Sequence, residues 1–154
     1  MTDSAHSELV TTLTGFYTLL DTLGVVPQCP VRMPPHTDIN TKAAGYAPEA
    51  VSLMCALPYL NVEFNSRVFE LLPSTYPVSY TGADSDEGSF EALREMLHDK
   101  MMPPTALRLT CSELSQGTEL VYDVEKSKAA HLSRLILCRS SKDLYWNQLR
   151  LFLV

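Results

Sequence analysis

The most informative absences in this 154-residue chain concern catalytic and cofactor-binding motifs. It has only six glycines, and none belongs to a G-x-G pair or to the G-x-x-x-x-G-K loop that wraps phosphate groups. No G-x-S-x-G segment is present, so the nucleophile turn of α/β-hydrolases is missing as well. These absences favour a protein without an enzymatic function and without a cofactor.

Cysteine is also scarce, and its copies are widely spaced. The four are Cys29, Cys55, Cys111 and Cys138, with no C-x-x-C pair that would indicate a zinc site or a redox motif. The first ten residues, "MTDSAHSELV", carry acidic charge, unlike the basic start of a secretory signal peptide. Together these features predict buried, reduced thiols in a cytoplasmic protein.

Neither excess positive charge nor a long apolar run is present. The net charge is −6 and the 12 Lys and Arg residues are scattered, so we expect no nucleic-acid binding. No stretch reaches the ~20 apolar residues that a membrane-spanning helix needs, so we expect no membrane partner. The hydrophobic fraction of 45% is that of a folded globular protein, and the length predicts a single domain.

Helical patterns occupy the N-terminal part. The first predicted helix covers residues 4–23 and stops at Gly24; its apolar stripe is formed by Leu9, Leu13, Phe16, Tyr17, Leu20 and Leu23. After a proline-rich connector, one short helix is predicted to end at Gly45. Another is predicted to start at Pro48 and to end before Pro58.

Strand patterns begin at Val68. Residues 68–72 and 76–80 are predicted as short strands, and residues 89–98 as a helix capped by Ser89. Residues 107–111 and 120–124 alternate apolar and polar side chains and predict an antiparallel hairpin.

Two predictions concern the C-terminal end. Residues 129–138 fit a strand or a helix equally well. Residues 140–154 predict a helix with Tyr145, Leu149 and Phe152 on one side, through which the chain would form homo-oligomers.

The predicted fold class is α+β. N-terminal helices pack on a small, mainly antiparallel sheet that one helix interrupts, and a C-terminal helix follows. The single domain comprises a helical layer at residues 1–60, a sheet-forming part at residues 66–125, and a basic and apolar segment at residues 126–154.

An aromatic set is the best candidate for a ligand-binding site. It consists of Tyr59, Phe64, Phe69, Tyr76 and Tyr80. Such a set fills the core of most small domains, and it would form a binding site only if it lined a groove with tyrosine hydroxyls at the rim.

A weaker alternative is a non-heme iron site. The H-x-D of His36 and Asp38, with His98 as a distal ligand, resembles the iron triad of 2-oxoglutarate-dependent oxygenases. The structural context argues against it, since that site lies in a double sheet of eight strands.

Three carboxylates alternate near the end of the predicted hairpin. They are Glu119, Asp123 and Glu125, and we expect all of them on the solvent face, where they protect a sheet edge.

Several segments together resemble a group of uncharacterised filamentous-fungal proteins. They are "FYTLLDTLGVVP", "PPHTDIN", "GYAPEAVSLMCALPYL" and "LRLTCSE…LVYDVE", and the resemblance covers roughly residues 9–125. That group is distantly similar to the SUKH-type domains, which include cell-wall-assembly regulators and immunity proteins. The resemblance implies a non-enzymatic α+β domain built for protein contacts, and it carries over no catalytic residues. Residues 126–154 depart from its pattern.

These observations predict a cytoplasmic protein-interaction or adaptor protein that binds a protein partner. The alternative is a small-ligand-binding protein or enzyme with an aromatic pocket around residues 55–80.

Overall fold

The computed structural model of the chain describes residues 6–26, 31–39, 45–61, 69–81, 87–96, 100–112 and 117–133. These residues form three helices and nine short strands. In chain order they are α1 (Ser7–Thr22), β1 (Val31–Arg32), α2 (Pro48–Ala56), β2 (Tyr59–Leu60), β3 (Thr75–Pro77), α3 (Glu87–Arg94), β4 (Glu95–Met96), β5 (Lys100–Met101), β6 (Ala106–Arg108), β7 (Thr110–Ser112), β8 (Thr118–Asp123) and β9 (Lys128–Ser133). The predicted α+β class is confirmed. The predicted C-terminal helix at residues 140–154 lies outside the described residues.

Helices α1 and α2 lie close to where the sequence predicts them. Gly24 follows α1 with a φ of 64°, a left-handed conformation that favours glycine and ends the helix. Pro48 occupies the first turn of α2, where its missing N–H has no helical partner to lose. In the main core, side chains of α2, of the aromatic residues and of β6 and β8 pack together. Leu9 and Leu13 of α1 pack against this core.

The predicted hairpin is confirmed, but its first strand is divided. Leu107 pairs with Tyr122 in the antiparallel pair β6–β8, as the alternation predicts. At Leu109 the chain changes partner, because its N–H donates to Leu120 and its carbonyl accepts from Val78. Beyond that point β7 pairs with β3, with Tyr76 opposite Cys111.

Strands β6, β8 and β9 form a sheet in that order, with β8 in the centre. Strand β9 pairs along its whole length with β8, from Lys128 opposite Asp123 to Ser133 opposite Thr118. The described part of residues 129–138 is therefore a strand, and the sheet continues past residue 125.

Two other predictions need correction. Residues 69–71 form no strand; the chain makes a tight turn at Ser74, which has a φ of 55°, and Leu72 bridges Thr75. Helix α3 begins before Ser89 and ends at Arg94, because the Arg94 carbonyl accepts the N–H of Met102 as the chain returns through β4 and β5. Local periodicity carries no signal for either of these turns.

Gly117 lies where two other segments of the chain come close to it. A Cβ at this position would overlap the backbone carbonyl oxygen of Ser74 and the Cβ of Ser112. We therefore expect Gly117→Ala to lower the free energy of unfolding by about 2 kcal/mol, as overpacking does. Urea denaturation of the purified chain measures this.

Gly15 supplies the matched control. It lies within α1, and a Cβ there meets no heavy atom within 4 Å. Gly15→Ala should raise the free energy of unfolding by up to about 1 kcal/mol, because alanine has the higher helix propensity. Equal effects of the two substitutions would contradict the proposed packing at Gly117.

Candidate functional site

The predicted aromatic set is divided between separate parts of the structure. Tyr59 and Tyr80 lie in the main core with ring centroids 6.1 Å apart. Phe69 belongs to a second cluster, which it forms with Tyr17, Val26 and Leu60. Phe64 lies outside the described residues. The set therefore does not line one common surface in the described part of the chain.

The hydroxyl groups of the two core tyrosines are used inside the protein. Tyr59 donates to the carbonyl oxygen of Met54 at 2.7 Å. Tyr80 donates to the carbonyl oxygen of Arg108 at 3.1 Å and accepts the Arg108 N–H at 3.0 Å. These bonds satisfy polar groups that would otherwise be buried without partners, so both hydroxyls have a structural role.

Tyr76 differs from the core tyrosines. It lies in β3, at the edge of the chain's two-stranded β3–β7 pair, and its hydroxyl donates to Glu70 Oε1 at 2.8 Å. The bond is only partly buried, and its acceptor is an exposed carboxylate that water also solvates.

His36 completes the C-terminal end of α2. Its backbone N–H donates to the carbonyl oxygen of Cys55 at 3.0 Å, and its Nε2 lies 3.0 Å from the carbonyl oxygen of Leu57. Since a carbonyl oxygen only accepts, Nε2 carries the proton. The ring also lies 5.1 Å from that of Tyr59, so this histidine is part of the packing around α2.

The other residues of the iron alternative do not add to a site that the structure describes. Asp38 is exposed, and His98 lies outside the described residues. Burial, and to a lesser degree the charge of Asp38, raises the pKa of the Cys55 thiol, which disfavours a reactive thiolate there. Within the described ranges, no group of three or more His, Cys, Asp or Glu side chains is arranged to hold a metal ion.

The solvent-face prediction for Glu119 is wrong. Asp123 is half-buried and Glu125 is exposed, but Glu119 is buried. The cause is the central position of β8, whose second face is covered where Val121 packs against Met102.

Arg108 and Glu119 lie on the covered face, and Arg94 lies at the end of α3. Arg108 Nη2 lies 3.9 Å from Glu119 Oε2 and donates to the carbonyl oxygen of Glu95 at 2.6 Å. Arg94 Nη2 donates to Met102, and its guanidinium lies 5.3 Å from the centre of the Tyr46 ring. The Arg108 guanidinium therefore joins β4 to the sheet, and the Arg94 guanidinium joins the end of α3 to Met102 and to the Tyr46 ring.

Three large apolar side chains are exposed on or next to α1. Phe16, Leu19 and Leu23 are 41%, 54% and 63% exposed, although the sequence pattern assigns Phe16 and Leu23 to the core-facing stripe. Their spacing of three and four residues puts them on one side of the helix, next to the side that packs on the core. We call these three residues the α1 outer stripe.

The sequence does indicate the stripe, through the width of the apolar arc of α1. At about 100° per residue, the apolar positions of α1 cover about half of the helix circumference, more than one core contact requires. The inner part of that arc, with Leu13 and Tyr17, is covered, and the outer part is not. Large apolar patches that remain exposed are typical of interaction surfaces.

Comparisons with protein-family models, with curated proteins and with solved structures found no match for this chain. Among the helices that the structure describes, none has the length and apolar character needed to cross a bilayer. Cys55 and Cys111, the two cysteines among the described residues, are both present as thiols.

The hydroxyl groups of Tyr80 and Tyr76 have different surroundings, and this difference leads to a prediction for Tyr80. In Tyr80→Phe the buried N–H and carbonyl of Arg108 both lose their partner, so the free energy of unfolding should fall by about 1–3 kcal/mol. Urea denaturation measures the change. Tyr76→Phe is the matched control and should cost less than about 1 kcal/mol, because water replaces its contact with Glu70. A larger cost for Tyr76→Phe would contradict this assignment.

Buried tyrosines also predict a loss of stability at alkaline pH. Burial raises the pKa of Tyr17 to about 12, and it raises the pKa of Tyr46 to about 12 despite the opposing charges of Arg94 and Arg108. Ionisation in the unfolded chain begins near the ordinary value of 10.0. The contribution of the neutral phenols is therefore complete below pH 10 and is lost between about pH 10 and 12.

Urea denaturation as a function of pH measures this loss. Tyr17→Phe should make the decline less steep, because phenylalanine releases no proton on unfolding. An unchanged slope in this variant would show that Tyr17 ionises as readily in the folded chain as in the unfolded one.

Proposed function

We propose that this chain is a non-enzymatic protein-interaction or adaptor protein of the cytoplasm, and that the α1 outer stripe is its docking face. The observation that carries the proposal is the exposure of Phe16 and Leu19 on one side of α1 and of Leu23, which follows the last turn of the helix on the same side. A helix that presents apolar side chains at this spacing is suited to receive a partner helix. Burying the half of Leu19 that is exposed contributes roughly 1 kcal/mol.

The charge of the N-terminal part of the chain indicates the chemistry of the partner. The first 31 residues contain no Lys or Arg, and the two acids of α1 are Glu8 and Asp21. The last turn of α1 has no basic residue, so the negative end of its helix dipole is not complemented by its own side chains. The partner that fits is an amphipathic helix with Lys or Arg at the border of its apolar face, where that face meets the C-terminal end of α1.

The aromatic residues give less support to the ligand-binding alternative. A pocket with tyrosine hydroxyls at its rim needs those groups to face a ligand. The hydroxyls of Tyr59 and Tyr80 instead bind backbone carbonyls of Met54 and Arg108.

The resemblance to SUKH-type domains supports the same proposal. That superfamily has an α+β fold and serves protein contacts rather than catalysis. We propose that the chain is a distant member of it.

Selection of displayed helical peptides on the purified chain tests the docking face. The selected peptides should be amphipathic with Lys or Arg at the border of the apolar face. Their affinity should fall roughly tenfold or more for Leu19→Ser combined with Leu23→Ser, since about 1.4 kcal/mol of lost burial is tenfold.

Leu72→Ser is the matched control for this experiment. Leu72 is 56% exposed, which is close to the value for Leu19, but it lies in the turn before β3. Selected peptides should bind this variant as they bind the unchanged chain. Peptides that bind the stripe variant and the control equally, or that are acidic, would refute the docking face.

A further inference from the structure

The C-terminal end of α1 forms a Schellman motif, in which two backbone N–H groups fold back onto the last turn. The N–H of Val25 donates to the carbonyl oxygen of Leu20 at 3.1 Å, and the N–H of Gly24 donates to that of Asp21 at 2.9 Å. Gly24 permits this reversal because its φ is 64°. A helix ends with four carbonyl groups that lack an intrahelical partner, and the motif satisfies two of them here.

The other two carbonyl groups at this end belong to Thr22 and Leu23. Among the described residues, none donates a hydrogen bond to either of them. The sequence supplies a reason at Leu23, because the next α-helical donor would be the N–H of residue 27, which is a proline and has none. Thr22 and Leu23 are both exposed, so their carbonyl groups are open to a donor from another molecule.

This end of α1 is also negative and has no cation of its own. The helix dipole places about half a negative charge there, and the last turn contains no basic residue. Asp21 adds a carboxylate to the same end, on the side of the helix away from the stripe. Arg32, the first basic residue of the chain, lies opposite Tyr59 in the β1–β2 pair, and within the described structure it donates no hydrogen bond to α1. A cationic donor from outside would therefore match both the carbonyl groups and the dipole.

Apolar side chains lie next to these carbonyl groups. Leu23 is 63% exposed, and Val25, just beyond the helix, is 48% exposed. A partner that covers these side chains also excludes water from the carbonyl groups, which strengthens a hydrogen bond to them and makes its absence more costly. Packed helices lie about 8–10 Å apart, a distance that the flexible stem of a Lys or the fork of an Arg can cross.

We propose that a Lys or Arg side chain of the partner helix caps the C-terminal end of α1, by donating hydrogen bonds to the carbonyl oxygens of Thr22 and Leu23. The inference rests on the proposed function, since it assigns the polar contact of the same docking face. The α1 outer stripe supplies apolar contact that a partner could make in several positions along the helix. The capping side chain fits in only one of them, so it sets the register of the partner on α1.

The peptides selected on the purified chain provide the probe. In each of them, the Lys or Arg at the border of the apolar face is replaced by Gln, which keeps a polar side chain and removes the charge. On the unchanged chain this replacement should lower the affinity about two- to fivefold, which is the usual contribution of a charge at a helix end. Calorimetric titration measures the two affinities.

Thr22→Lys supplies a cation to the same end from within the chain, and Thr22→Gln is its neutral counterpart. Both variants lose the exposed hydrogen bond from Thr22 Oγ1 to the carbonyl oxygen of Thr18. On Thr22→Lys the charged peptide should lose its two- to fivefold advantage over the Gln peptide, whereas on Thr22→Gln it should keep it. The double-mutant cycle isolates the coupling between the charge of the peptide and the end of α1.

Thr18→Lys is the matched control for added charge alone. Thr18 is exposed and lies about 6 Å nearer to the start of α1 than Thr22. A Lys there adds the same charge away from the free carbonyl groups, so the charged peptide should keep most of its advantage. An equal loss in Thr18→Lys and Thr22→Lys would indicate general repulsion and overturn the inference.

The backbone carbonyl carbon resonances distinguish a hydrogen bond from a nearby charge. When the charged peptide binds, the resonances of Thr22 and Leu23 should move downfield, because a carbonyl oxygen that accepts a hydrogen bond deshields its carbon. The Gln peptide should move them less, and the resonance of Leu20, which already accepts from Val25, should change little with either peptide. Resonances of Thr22 and Leu23 that stay in place with the charged peptide bound would overturn the inference.

Failure of the inference differs from failure of the proposed function. Peptides whose binding is lost in Leu19→Ser combined with Leu23→Ser, but whose Lys or Arg shows no coupling to Thr22→Lys, support the docking function and overturn the capping contact. If no selected peptide depends on the stripe, both are overturned.

Discussion

The side chain of Tyr80 connects the parts of this structure that the chain order keeps apart. Its ring lies 6.1 Å from Tyr59 of β2, 6.0 Å from Phe90 of α3 and 6.2 Å from Tyr46, which precedes α2. Its hydroxyl binds both backbone groups of Arg108, on the edge of β6 that faces away from β8. One side chain thus fills the space between helices and sheet and also takes the place of a neighbouring strand, so packing and backbone hydrogen bonding are lost together if it is removed.

This arrangement explains why a sequence rich in tyrosine offers no clear ligand site. A tyrosine marks a binding site when its ring is buried and its hydroxyl faces a ligand. Tyr59 and Tyr80 have buried rings, but their hydroxyls bind backbone groups, and Tyr76 directs its hydroxyl to Glu70. The hydroxyl groups of these three tyrosines are therefore bound within the protein, whereas Phe16, Leu19 and Leu23 remain exposed.

Features with a local cause could be predicted from the sequence, and features with a distant cause could not. The end of α1 at Gly24, the start of α2 at Pro48 and the β6–β8 pairing follow from residues within one element or one hairpin. The division of the strand at Leu109 depends on Val78, and the burial of Glu119 depends on how the β4–β5 turn is anchored to Arg108. The stripe is an intermediate case: its residues are visible in the pattern, but periodicity alone does not say which half of a wide apolar arc is covered.

The distribution of charge gives the stripe a basis for discrimination that its apolar residues lack. Phe16, Leu19 and Leu23 would accept almost any apolar surface, including another copy of α1. The absence of Lys and Arg before Arg32, together with the negative end of the α1 dipole, disfavours acidic occupants and favours basic ones. Charge rather than shape is therefore the property by which the proposed docking face would distinguish one apolar partner from another.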